Sequence, residues 1–218
     1  MEQDIYLVLG AARQPSRDGF AGITQQERAQ LARFSSAERS AAFYTGRKFA
    51  RQLLQCYQPQ AASLEFKCTP SGKPYLENAG HFSITHSADL VACVWSPRPV
   101  GLNLQQQRLQ NYPAMTGELF CRGELQQLAD LAPAQRRGFY YQVLSAKQAL
   151  RKACGLDNRV PQADMAVHAY NHKMGLIHYA GIVWHVVWQA AGDAVFAVVS
   201  EEPFQLNTPV ILPQQAVV

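Results

Sequence analysis

Val100-Gly101-Leu102-Asn103-Leu104-Gln105 reads as a strand near the middle of the chain. Asn103 and Gln105 flank Leu104, so in extended backbone both amides point to one face. Upstream, residues 64–68, 82–85 and 90–95 are short apolar runs separated by turn residues such as Pro70-Ser71-Gly72, and they read as strands. Two helices precede them. Thr24 followed three residues later by Glu27 has capping-box spacing, ahead of Ala29, Leu31, Ala32 and Phe34 at helical intervals. The second helix lies between Ser36 and Tyr57, with Ala41, Ala42, Phe49, Ala50, Leu53 and Leu54 on its apolar face, and Pro59 ends it. Residues 5–9, closed by Gly10, form a first strand.

Downstream, the helical period returns over about 115–131 and, after Pro133, over about 135–154, where Gly155 stops it. Strands follow at 165–170, 181–189 and 194–200, the last two joined by a turn at Gly192-Asp193. The tail from Pro203 has no pattern and is expected to wrap the surface or lie loose. Strand, helices and strands thus occur nearly twice over. This predicts an α+β chain of two similar halves, residues 1–100 and 101–202, with a 203–218 tail and a site in the cleft between the halves.

Composition narrows the function classes. With 48% hydrophobic and 17% charged residues, the 218-residue chain reads as an ordinary soluble globular protein. No apolar run reaches the roughly 20 residues of a membrane helix. Acids follow Met1 where a signal peptide would be basic, so the expected location is the cytoplasm. Five widely spaced cysteines without a C-x-x-C motif indicate neither a disulfide framework nor a cysteine-rich zinc site. A net charge of +4 and a pI near 8.8 suit an acidic partner or phosphorylated ligand, but no dense Lys/Arg tract points to nucleic acid.

Four segments in order carry a family resemblance. They are Phe43-Tyr44-Thr45-Gly46-Arg47-Lys48-Phe49-Ala50-Arg51; Gly72-Lys73-Pro74-Tyr75-Leu76 with His81-Phe82-Ser83-Ile84-Thr85-His86-Ser87; Val100 to Gln105; and Leu144-Ser145-Ala146-Lys147-Gln148-Ala149-Leu150-Arg151-Lys152-Ala153-Cys154-Gly155. Over roughly residues 24–155 they resemble the 4′-phosphopantetheinyl transferase superfamily, in its long single-chain, surfactin-synthetase-activating form. The resemblance implies two pseudo-twofold-related α/β halves, each a small antiparallel sheet packed with helices, with coenzyme A between them. It implies transfer of the phosphopantetheine arm onto a serine of an acyl or peptidyl carrier protein, by a cytoplasmic enzyme expected to be a monomer. Catalysis then means aligning the attack, neutralising charge on phosphate oxygens and accepting the serine proton.

By motif match, Arg47, Lys73 and His86 face the nucleotide phosphates, and Thr85 keeps the hydroxyl of the family's usual serine. Lys152, on one helix face with Gln148, reaches the pyrophosphate. Glu124 matches a glutamate near the site in relatives and is the substitute acid or base. Glu27 and Gln30 stand where some relatives are basic. Outside the motif, Arg47 and Lys152 read as solvated helix residues and His86 as a satisfied strand-end histidine.

Mg²⁺, the expected metal of the family, is held there by three acids, and this chain has Asn103, Gln105 and Gln148 in their places. An amide oxygen can ligate Mg²⁺ but brings no charge. At an effective dielectric near 20, each lost carboxylate–cation attraction is worth roughly 4 kcal/mol before desolvation. Two readings follow: a phosphopantetheinyl transferase with weak or no activity, or a noncatalytic protein that binds coenzyme A or a carrier protein on the same scaffold.

Other features are weaker. His168 and His172 have helical metal-ligand spacing but lie in a strand-and-turn segment, and His86-Ser87 lacks the G-x-S-x-G elbow of a hydrolase. Tyr112, Pro113, Met115 and Leu119 fall where relatives meet the carrier protein, with a plain helix-core role for Met115 and Leu119 as the alternative. Arg108, Arg122, Arg136 and Arg137 would supply charge for an acidic carrier helix.

Overall fold

The computed structural model describes residues 3–15, 23–70, 72–107, 116–157 and 159–210 of an α+β chain. Strand β1 (Gln3–Ala11) leads to helix α1 (Gln25–Leu31), which is closed by the expected capping box. The Thr24 hydroxyl accepts from the Glu27 N–H at 3.3 Å, and the Glu27 carboxylate accepts from the Thr24 N–H at 2.9 Å. Helix α2 (Ala37–Tyr57) begins at the Ser36 cap and stops before Pro59. Strands β2 (Lys67–Cys68), β3 (Pro74–Tyr75), β4 (His81–Ser87), β5 (Leu90–Ser96) and β6 (Val100–Gln106) follow. Next come helices α3 (Thr116–Leu119), α4 (Arg122–Asp130) and α5 (Pro133–Cys154), the last ended by Gly155 in the left-handed region at φ 67°. The chain finishes with β7 (Ala166–Ala169), β8 (Met174–Tyr179), β9 (Ile182–Ala191), β10 (Ala194–Ser200) and β11 (Phe204–Val210).

The strands form a sheet ordered β11-β1-β5-β4, a second ordered β6-β10-β9-β8-β7, and a β2-β3 ribbon. Strand alternation divides the side chains among three cores. Val91, Cys93 and Trp95 of β5 turn toward α2, where they meet Phe49, Leu53 and Leu54. Ala92 and Val94 turn the other way, with Ile5 and Leu7, and pack against Leu102, Leu104, Phe196 and Val198 of the second sheet. The far face of that sheet, including Val186, Trp188, Ala197 and Val199, lies on Val143, Ala146, Ala149 and Leu150 of α5. The layers therefore run helix, sheet, sheet, helix. Leu102 and Leu104, at 0% and 1% exposure, each contribute about 1.5–3 kcal/mol to the middle core.

Four local expectations change. The 64–68 run pairs only at Lys67–Cys68, because Phe66 turns into the α2 core instead of continuing a strand. The 115–131 helix is broken at Phe120-Cys121: α4 restarts there, with the Glu124 carboxylate accepting from the Cys121 N–H at 2.8 Å. Strand β8 was hidden by Gly175, a residue that weakens a strand pattern. Here glycine is required, since a Cβ would lie 2.5 Å from the His168 carbonyl oxygen and 3.0 Å from the Trp188 ring. The tail beginning at Pro203 is not loose over its first part: β11 pairs in parallel with β1, matching Gln3 to Phe204 and Ile5 to Leu206. The first sheet thus takes its edge strand from beyond residue 202, and residues 211–218 lie outside the described residues. Among the described residues, no helix is long and apolar enough to cross a membrane.

Candidate functional site

Gly101 sets the geometry of the site. A Cβ there would stand 1.9 Å from the Ala149 carbonyl oxygen and 2.7 Å from the Ala153 nitrogen, so α5 crosses β6 at a distance that only glycine permits. Asn103 lies on the same face of β6, and Lys152 is one turn beyond Ala149 on α5. Their side chains meet: Lys152 Nζ donates to Asn103 Oδ1 at 3.0 Å and to Thr85 Oγ1 at 3.0 Å.

Thr85 belongs to a hydroxyl comb between the sheets. Ser83, Thr85 and Ser87 of β4 accept from the N–H groups of Leu102, Leu104 and Gln106 of β6 at 3.1, 3.2 and 3.1 Å. Alternate residues of one strand thus satisfy alternate donors of the next at a constant offset, which requires β4 and β6 to run parallel. Side-chain oxygens occupy the place of carbonyls along this edge. Ser83 and Ser87 were quoted within a motif, but their structural task was missed; hydroxyls at i, i+2 and i+4 were the available signal.

Lys73, between β2 and β3, reaches across to α5, where its Nζ donates to the Ala153 carbonyl at 3.3 Å. That carbonyl is in the last helical turn, where a cation is favoured. A cavity of about 260 Å³ opens between these elements, lined by Gly72, Lys73, Ser83 and Ile84 from one side and by Gln148, Arg151 and Lys152 from the other. The Arg151 guanidinium also donates to the Asp157 carbonyl. No described carboxylate lines the cavity. Burial, and then the charge of Lys73, push the Lys152 ammonium down to about 8. Burial also lowers Lys73. His86, on the exposed side of β4, is lowered by partial burial and then by the charges of Lys152 and Arg39. The site is electropositive, and its own cations repel one another.

The expected site residues therefore divide. Lys73, Gln148 and Lys152 line the cavity, and Thr85 and Asn103 bond to Lys152 without lining it, with His86 one residue further along β4. Gln105 lies half-buried beyond Asn103 on the same face of β6 and does not line the cavity.

Two residues are placed differently from expectation. Arg47, expected to face phosphates, is 7% exposed and lies against the rings of Phe43 and Phe66, 4.8 and 5.0 Å from their centroids. It stands 3.5 Å from the Glu27 carboxylate, which Arg51 also contacts at 2.8 Å, so the acid of the α1 cap serves a buried charge cluster. Glu124, expected as substitute acid or base, is 2% exposed and fully engaged. It takes Lys147 Nζ at 2.6 Å, the Cys121 N–H at 2.8 Å and the Val167 N–H at 2.8 Å. It neither lines the cavity nor has an oxygen to spare for a proton in transit.

Mg²⁺ does not fit the residues present. The Asn103 oxygen is taken by an ammonium, Lys73 and Lys152 add positive charge, and the described lining offers no carboxylate. His168 and His178 meet at 5.1 Å between ring centroids on neighbouring strands, and the described residues contain no group of three or more His, Cys, Asp or Glu able to hold a metal. Of the expected carrier-facing residues, Leu119 is buried in the α5 core, whereas Arg122 and Arg137 are exposed. Arg136 donates to the Leu131 and Ala129 carbonyls. Arg108, Tyr112, Pro113 and Met115 lie outside the described residues. No protein-family model matches the chain, and no curated protein matches it by sequence.

Proposed function

We propose that this is a phosphopantetheinyl transferase-like protein that takes the diphosphate of coenzyme A into the cavity between its two sheet-and-helix halves, and holds the coenzyme rather than transferring its arm. The observation that carries this reading is the charge of the cavity: Lys73, Arg151 and Lys152 border it and no described carboxylate does. Ammonium and guanidinium groups in a partly dry cleft bind phosphate oxygens through charge-assisted hydrogen bonds. The pairing of α2 with one sheet and α5 with the other supports a pseudo-twofold arrangement of the halves. On this reading the protein works in the cytoplasm as a monomer, with an acyl or peptidyl carrier protein as its macromolecular partner.

One observation favours a second reading, in which transfer survives. Lys152, held down to about 8, is close to the range in which a neutral amine can accept a proton near neutral pH. A carrier-protein serine oxygen would form the new bond to phosphorus, the bond to the nucleotide phosphate would break, and the serine proton would pass to Lys152. Calorimetry with coenzyme A, and intact-mass measurement of an apo carrier protein incubated with this chain, coenzyme A and Mg²⁺, separate the two. Binding with unchanged carrier mass is the expected result. A phosphopantetheine adduct establishes transfer instead, and absence of coenzyme A binding sinks the primary reading.

A further inference from the structure

Asn103 is 5% exposed, and its amide orientation is decided by chemistry. An ammonium only donates, so Lys152 must meet Oδ1, and the N–H donors of Nδ2 turn elsewhere. Among the described residues Nδ2 has no acceptor, and it is shut off from solvent. A buried amide donor without a partner is a marked exception in folded proteins. Directly beside it, Lys152 is fixed by two neutral oxygens and, among the described residues, by no counter-ion, while Lys73 repels it. Gln148 stands on the same cavity wall one turn before Lys152. Two of these features face the cavity and call for an anion there: the Lys152 charge without its opposite, and the Gln148 amide where an acid would repel phosphate.

We propose that Gln148 and Lys152, which line this cavity, with Asn103 holding Lys152 from behind, make it a divalent-cation-independent diphosphate site, in which the Lys152 ammonium supplies the charge a metal ion would bring and the Gln148 amide donates to phosphate oxygens. The proposal rests on the coenzyme-binding reading above and specifies how that ligand is held. Gln148 is then a functional donor, and Asn103 tethers Lys152 without neutralising it. A carboxylate at position 103 would pair internally with Lys152 and cancel the charge offered to the ligand.

The test is calorimetry of the full chain with inorganic pyrophosphate and, separately, with coenzyme A, each in EDTA and in excess Mg²⁺. Binding in EDTA is expected, with Mg²⁺ leaving the affinity the same or weaker. Asn103→Asp and Gln148→Glu should each lower the metal-free affinity at least about tenfold, the first by neutralising Lys152 and the second by replacing a donor with a like charge facing phosphate. Gln148 is half-buried, so Gln148→Glu carries the test where Asn103→Asp fails to fold. Binding that appears only with Mg²⁺, or carboxylate variants that bind in EDTA as the wild type does, overturns this inference and leaves coenzyme binding standing. No binding of either ligand in either buffer overturns both.

Discussion

Lys147 and Lys152 lie five residues apart on α5, the first fully buried and the second half-buried at the cavity, and they meet opposite surroundings. Lys147 is 0% exposed and answered in full: Glu124 at 2.6 Å supplies the counter-charge and the Leu119 carbonyl at 2.7 Å accepts a second hydrogen bond. Lys152 meets a threonine hydroxyl and an amide oxygen, both neutral. Burial pushes both ammonium groups down, but at Lys147 the charge of Glu124 opposes the shift, whereas at Lys152 Lys73 adds to it. One lysine completes the second half of the molecule. The other has no opposite charge among the described residues, and that difference, more than either lysine alone, locates the candidate site.

Breaking the satisfied pair has the largest expected effect. Glu124→Ala strands a buried ammonium and should cost about 3–5 kcal/mol, read as a fall in the urea midpoint. Coenzyme A affinity of the folded fraction should not change. A variant of full stability with impaired binding would return Glu124 to the site and dissolve the contrast.

The unsatisfied lysine should reveal itself by pH. The folded chain releases the Lys152 proton near 8, whereas the unfolded chain holds it to the ordinary lysine value, about 10.4. Between these values the unfolded state binds more protons, so wild-type stability should rise with pH, by roughly 3 kcal/mol at completion. Lys73 and His86, which face Lys152 from the first half, titrate in the same field, so the informative quantity is the difference between wild type and Lys152→Met. That difference should move in favour of the wild type from about pH 8 to 10 and be flat below. A flat difference throughout would mean that Lys152 is solvated like any surface lysine.

The smallest effect concerns the seam itself. Thr85→Val removes the acceptor of the Leu104 N–H and one of the two tethers on Lys152, and should cost about 1–2 kcal/mol. Thr85→Ser restores the hydroxyl and should recover most of the loss in a thermal melt. Equal melts for Thr85→Val and wild type would show that the hydroxyl comb adds nothing measurable at this position.

Much of the fold was legible because its signals are local. Thr24 and Glu27 announce a cap, Gly155 a helix end, and the apolar periods of α2 and α5 their buried faces. β8 and β11 were not legible, since Gly175 reads as a breaker until the neighbouring strand is seen, and β11 forms only because β1, some 200 residues away, offers an open edge. The site shows the same division. Motif order brought Lys73, Thr85, Gln148 and Lys152 to attention, and they do meet. Arg47 and Glu124 carry the same kind of signal and are used inside the two halves instead, because a residue's type says what it can bond but not what lies within reach.

The amino-acid sequence by itself determined that positions 103, 105 and 148 bring no negative charge, since that is a matter of side-chain chemistry alone. Only the tertiary structure decided that Lys152 stands against Asn103 while Glu124 is spent on Lys147. Both outcomes depend on α5 settling onto β6 at Gly101, a contact between residues almost 50 positions apart that no local pattern encodes.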